Sequence, residues 1–243
     1  MRMKMVMAGA VMLAALLPVS AKRLERDLDK FTKIRVTSAY DVKYVQGDKY
    51  KVVIEGEEEQ CMECTETRVT GDGVLEIRPT KKFGLFGDEE KNDKAAWKIT
   101  VTAPTLEGIE CSGASDFYTD ESLDVSSFSI EISGASDAVL GTVVCDELEI
   151  KASGASDLNI RKSAKVKSAS LKASGSSDII VNELSGNEID ADVSGSSDVR
   201  FNHVSIKNAL VNASGSADVV LRGTINNLTK DASGAASIRY RKL

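Results

Sequence analysis

The pentapeptide "SGASD" stands at residues 112–116, 133–137 and 153–157. It returns as "SGSSD" at 174–178 and 194–198 and as "SGSAD" at 214–218, then decays to "SGAAS" at 233–237. The glycines of these copies, Gly113, Gly134, Gly154, Gly175, Gly195, Gly215 and Gly234, are 21, 20, 21, 20, 20 and 19 residues apart. A sustained period near 20 marks a solenoid, in which each repeat buries its apolar face against its neighbours. Leucine-rich repeats have this length too, but their L-x-x-L-x-L-x-x-N pattern is missing.

Aligned on glycine, the repeats alternate at period two. Two residues before it stand Cys111, Ile132, Ala152, Ala173, Val193, Ala213 and Ala232, and four before it Ile109, Ile130, Ile150, Leu171, Ala191 and Val211. Between these columns lies a polar one, Glu110, Glu131, Lys151, Lys172, Asp192, Asn212 and Asp231. After the aspartate the apolar columns resume with Phe117, Ala138, Leu158, Ile179, Val199 and Val219, then Leu140, Ile160, Val181, Phe201 and Leu221. Such alternation is a strand with one buried face. The period therefore predicts an all-β fold, a right-handed parallel β-helix with ~20-residue coils. With strands ~4.8 Å apart, seven coils over 106–243 would rise about 30 Å.

The pentapeptide reads first as a corner. Glycine reaches backbone angles that other residues reach only with strain, and the Ala or Ser positions after it suit a crowded bend. Its aspartates, Asp116, Asp137, Asp157, Asp178, Asp198 and Asp218, would then stack one per coil. Neighbouring carboxylates at that spacing repel by about 1 kcal/mol even at water's dielectric constant. Three readings stay open: local turn formers bonded to backbone N–H groups, a cation-binding ladder, and catalytic acids. A single column offers few of the six to eight oxygens that calcium takes.

Residues 22–105 are strand-like but irregular. "FTKIRVTSAYDVKY" at 31–44 aligns with the first repeat when Asp41 is set against Asp116, which matches Ile34 to Ile109 and Val36 to Cys111. It is a degenerate first coil. "TRVTGDGVLEIRPT" at 67–80 predicts a hairpin around Gly71-Asp72-Gly73, and "AAWKITVTAP" at 95–104 a strand leading into the repeats. Between them "KKFGLFGDEEKNDK" carries Phe83, Leu85 and Phe86, which would form either an exposed contact tip or a cap over the solenoid end.

The first 21 residues read as a secretory signal peptide, with Arg2 and Lys4 before "MVMAGAVMLAALLPVSA" and cleavage expected after Ala21. Residues 22–243 would then be a single β-helical domain, soluble, exported to the periplasm or cell surface, with no transmembrane segment. The net charge is −6, and loss of Arg2 and Lys4 makes it more acidic, which argues against a nucleic-acid partner. Arg239, Arg241 and Lys242 on the last coil would discourage edge-to-edge stacking and favour a monomer.

Four cysteines are too few for a disulfide scaffold. "CMEC" leaves Cys61 and Cys64 as a local disulfide, buried thiols, or a metal or redox pair, whereas Cys111 and Cys145 read as unbonded core residues. His203, the only histidine, reads as a surface residue with no Ser-His-Asp or metal constellation around it. Neither a cofactor motif nor a completed metal site is present.

The opening "FTKIRV…YDVKYVQGD", the "GDGVLEI" strand, "ITVTAPTLEGIECSGASD" and the repeated S-G-x-x-D coils resemble the exported bacterial family described as "putative auto-transporter adhesin, head GIN domain". The resemblance runs from about Phe31 onward. It implies a parallel β-helix displayed outside the cytoplasm and brings no catalytic residues. Two non-enzymatic functions are expected: an adhesin-like binding module contacting a cell-surface or envelope component, or a purely structural envelope protein. A polysaccharide lyase or hydrolase is disfavoured, because such a site needs a cleft with acids in unlike environments, and coils of nearly equal length leave no loops to build one.

Overall fold

The computed structural model describes residues 22–56, 64–80 and 98–243. The signal segment, Cys61 and the Phe83–Phe86 loop named above lie outside the described residues. Those described form strands, bends and turns with no helix. None of them forms a helix long and apolar enough to cross a membrane.

The repeats are a β-solenoid, and each coil is nearly one strand. The five central ones, β11 (Asp137–Ala152), β12 (Asp157–Ala173), β13 (Asp178–Val193), β14 (Asp198–Ala213) and β15 (Asp218–Ala232), run from a motif aspartate to the next corner. The sequence suggests two or three short strands per coil. They merge because each coil bends where its neighbour bends, so the parallel ladder continues around the bend. The bends show instead as lapses of alternation. In β12 the outward run Arg161–Ser163 interrupts the inward sequence Leu158, Ile160, Ala164, Val166, and Lys167–Ser168 interrupts it again before Ala169. The ladder register slips between Ile160 and Ala164, as it does between Leu140 and Thr142 and between Phe201 and Val204. Two bends and the glycine corner give each coil three sides.

Up to the last coil, where Ala232 is exposed, every apolar column faces inward. Ile132, Ala138, Leu140, Ile160, Ile179, Ala191, Val199, Val211 and Leu221 are fully buried. Residue size varies along a column, as in Ile150, Leu171, Ala191, Val211, and each side chain packs against the one on the next coil. Burying one such Leu, Ile or Val contributes roughly 1.5–3 kcal/mol.

The N-terminal layers are ordered differently in space than in sequence. β2 (Lys33–Ser38) and β3 (Asp41–Gln46) form the degenerate coil. They pair in parallel with β8 (Gly108–Gly113) and β9 (Asp116–Asp124) of the first repeat, with Ile34 opposite Ile109, Val36 opposite Cys111 and Asp41 opposite Asp116. Their other edges pair with β6 (Val74–Pro79) and β7 (Lys98–Ala103). The "KITVTA" strand therefore lies on the far side of the degenerate coil and not against the repeats it precedes. From β7 the chain must cross back over β2 and β3 to start the first repeat.

Antiparallel strands complete this end. β1 (Lys22–Asp27) pairs with β4 (Lys51–Gly56), which pairs with β7. The Gly71–Gly73 hairpin joins β5 (Thr65–Val69) to β6. Specific side chains tie the layers: Arg35 spans Glu110 at 2.7 Å and Glu76 at 3.2 Å, and the buried Tyr44 hydroxyl donates to the Ala103 carbonyl at 2.9 Å. The remaining strands are β10 (Ser127–Ile132), between β8 and β11, and β16 (Ser237–Lys242), which pairs with β15.

Candidate functional site

The corner is built from backbone first. All seven motif glycines have φ between 73° and 89°, the left-handed region. A Cβ at Gly175 would sit 2.5 Å from the Gly154 carbonyl oxygen, so conformation and space both demand glycine. That close approach serves the stacking. From Gly134 onward the N–H of the residue after each motif glycine donates to the glycine carbonyl one coil back, as from Ser176 to Gly154 and Ser196 to Gly175, both at 2.7 Å. Ala114 donates to the Ser38 carbonyl of the degenerate coil.

The fourth motif position carries a role that small size alone does not disclose. Ser115, Ser136, Ser156, Ser177 and Ser197 are fully buried, pointing into the solenoid. Ser156 and Ser177 donate to the carbonyls of Ser153 and Ser174 at 2.8 and 2.9 Å, closing their own corners. The hydroxyls also approach along the column, 3.4 Å between Ser156 and Ser177. No buried side-chain polar atom among the described residues lacks a partner. In the degenerate coil this position is Tyr40, whose hydroxyl accepts from the buried Thr65.

The motif aspartates stack in register on the outside: Asp41, Asp116, Asp137, Asp157, Asp178, Asp198, Asp218 and then Ser237. Partial burial, with repulsion from Asp137 and Asp41, pushes the Asp116 carboxyl above its usual range, and the Asp137 N–H pulls it part of the way back. Toward the other end Asp198 is paired with Arg200 at 2.8 Å and Asp218 with Arg239 at 2.7 Å. The column is thus partly neutralised by arginine at one end, with Asp218 also accepting from the Ser237 hydroxyl at 2.6 Å. Among the described residues no group of three or more His, Cys, Asp or Glu is arranged to hold a metal ion.

Of the cysteines, Cys64 is half-buried. Cys111 and Cys145 are buried free thiols, and desolvation pushes them up to about 12 and about 11. Both remain protonated at neutral pH, which makes them poor nucleophiles. His203 is exposed.

A second feature lies on another side of the coils. A groove of ≈ 840 Å³ runs along the solenoid axis across the outer face of β10–β15. Its two outward columns are Ser127, Glu147, Ser168, Glu188, Asn208, Asn227 and Ser129, Glu149, Ser170, Asp190, Leu210, Thr229, each stacked in register. Between them a buried floor is formed by Phe128, Leu148, Ala169, Ile189 and Ala209. A second depression of ≈ 300 Å³, sharing Lys33, Ser129 and Glu149, extends it toward Arg35 and Glu110. These columns lie five and seven residues before each glycine and were readable as polar. That they flank a concavity depends on the bend at Lys167–Ser168, which polarity does not reveal.

Comparisons with known proteins agree with this architecture. A "putative adhesin" from Bacteroides fragilis is similar over 92% of this chain and 97% of its own, at 19% identity and a TM-score of 0.71. A second, from Parabacteroides distasonis, covers the same shares at 16% identity and a TM-score of 0.72. A "putative lipid binding protein" from the same species covers 90% of this chain and 96% of its own, at 19% identity and a TM-score of 0.63. At these identities the likeness carries the fold alone. No curated protein matches the chain. The family model "Putative auto-transporter adhesin, head GIN domain" matches residues 30–205 and 166–243. With nearly all of the solenoid covered, this chain belongs to that family.

Proposed function

We propose that the protein is an exported, non-catalytic binding module of the bacterial envelope, and that it engages its partner through the axial groove. The observation that carries this is the groove's continuity across the face of six successive strands, where a rigid, fully packed scaffold holds repeated polar columns at a fixed spacing. Family membership supports adhesion as the class of function. Nothing in the groove pairs a nucleophile with a base. The motif carboxylates line neither depression, whereas acid–base chemistry needs a cleft around its carboxyls.

The solved neighbour described as a lipid binding protein raises a second reading. Here the interior is filled by side chains, so an acyl chain would have to lie in the groove, whose outer columns are mainly Ser, Glu, Asp and Asn. Those columns favour a polar partner.

The test is retention of beads coated with the purified chain on extracellular matrix and on isolated bacterial envelopes. Ser170→Trp, which fills the groove from an exposed position, should abolish retention, and Asp178→Asn, around the corner, should leave it unchanged. Equal retention of both variants would exclude the groove as the contact. Protease accessibility on intact cells decides between the cell surface and the periplasm.

A further inference from the structure

Two coils carry the carboxylates of the groove's columns, with a neutral coil between them. Glu147 and Glu149 stand on one coil, Ser168 and Ser170 on the next, Glu188 and Asp190 on the one after. On either side of these coils the columns are uncharged, with Ser127 and Ser129 before them and Asn208, Leu210, Asn227 and Thr229 after. Glu107 lines the groove's end outside both columns, since Gly108 is the residue facing Ser129. The two acidic coils are therefore two strand spacings apart, about 9.6 Å. The motif aspartates repeat on every coil, so the two columns differ by design of spacing. Of the residues lining the groove, Glu107, Glu147, Glu149, Glu188 and Asp190 are acidic, and Lys33, at its end, is basic.

The lysines on the rims are Lys151, Lys167, Lys172 and Lys207. Lys151 is already paired with Glu149 and Lys167 with Asp146, each at 2.7 Å. Among the described residues Glu107, Glu147, Glu188 and Asp190 make no ion pair, so the groove keeps a negative field.

We infer that the groove is a docking track for an extended polypeptide segment that places lysine or arginine three residues apart, over the two acidic coils; this rests on reading the chain as a binding module. A polyproline II segment has three residues per turn and rises about 3.1 Å per residue, so every third side chain recurs at about 9.3 Å on one face. That matches the separation of the two acidic coils to within a few tenths of an ångström. The hydroxyls of Ser168 and Ser170 between the acidic coils and the amides of Asn208 and Asn227 beyond them suit the solvated backbone of such a segment, which has no internal hydrogen bonds to satisfy its own groups. Leu210, 41% exposed in the groove, offers an apolar contact near one end. A neutral glycan fits less well, because sugar faces stack on exposed aromatic rings and the groove's one aromatic, Phe128, is buried. A nucleic acid would be repelled.

Two fluorescent peptides of equal composition and charge test this by anisotropy on the purified chain: four Lys-Pro-Pro repeats, and four consecutive lysines followed by the same eight prolines. The spaced peptide should bind more tightly, and its affinity should fall with added salt. Glu147→Gln with Glu188→Gln should weaken it about tenfold, the loss of two exposed charge pairs. Asp157→Asn with Asp178→Asn removes the same charge around the corner and should leave it within about twofold. Equal binding of the two peptides, or equal losses in the two double variants, would overturn the inference as a diffuse charge effect. If neither peptide binds a chain that still holds beads through the groove, the peptide assignment falls and the binding-module reading stands. Loss of both retires both.

Discussion

The repeats and the N-terminal layers use the same parallel ladder but hold it together by opposite means. In the repeats every coil meets a near copy of itself, so identical groups stack: glycine on glycine, buried serine on serine, aspartate on aspartate. In the N-terminal layers each contact is unique. Arg35 reaches two glutamates in different layers, Tyr44 bonds one carbonyl, and Phe31 meets Tyr50 edge-on at 5.4 Å. The degenerate coil stands where the two schemes meet. Its corner "TSAYD" places Ser38 opposite Gly113, and Ser38 has φ 95°. The difference teaches that repetition makes a corner dependent on glycine, whereas a region with unique contacts carries one strained residue.

The largest test of that contrast compares two glycines. Gly175→Val puts a branched side chain at positive φ against the Gly154 backbone and should destabilise by about 3–5 kcal/mol in denaturant unfolding. Gly71→Val lies in the hairpin turn with nothing within 4 Å of its Cβ position and should cost less than about 1 kcal/mol. Comparable losses would show that the hairpin is as tightly determined as the corners.

A smaller effect of opposite sign is expected at Ser38. A residue with a Cβ at this φ costs about 1–2 kcal/mol, and glycine would relieve it while giving back part as unfolded-chain entropy. Ser38→Gly should therefore raise the free energy of unfolding by a net of about 0.5–1 kcal/mol. A loss of stability would mean that the Ser38 side chain makes the degenerate corner in a way the repeats do not share.

The smallest effect concerns the aspartate column. The Asp116 carboxyl is raised in the folded state, so proton binding favours folding: the associated stability is full below the ordinary carboxylate range and is lost as pH rises through the raised value. Asp116→Asn should accordingly stabilise slightly at neutral pH, by no more than about 0.5 kcal/mol, with the advantage closing below ~pH 4. Urea midpoints at both pH values check it. An advantage that is larger in acid would reverse the sign and show that the ionised column helps the fold.

Much of this was written in the sequence because, through the repeats, order along the chain equals order in space. Glycine spacing and period-two alternation therefore gave the coil, its buried columns and the aspartate register, and they extended the register back to Asp41. Column reading fails where that equality fails. The "KITVTA" strand is adjacent to the first repeat in sequence, yet β2 and β3 lie between them, since strand pairing depends on which edge is open and not on chain proximity. Tertiary structure also decided what the small and polar positions do. Ser177 and Ser170 are the same residue type seven positions apart, but one points inward to close a corner and the other lines the groove. Composition at a position fixes its chemistry, and only the bend of the backbone fixes the side of the coil on which that chemistry acts.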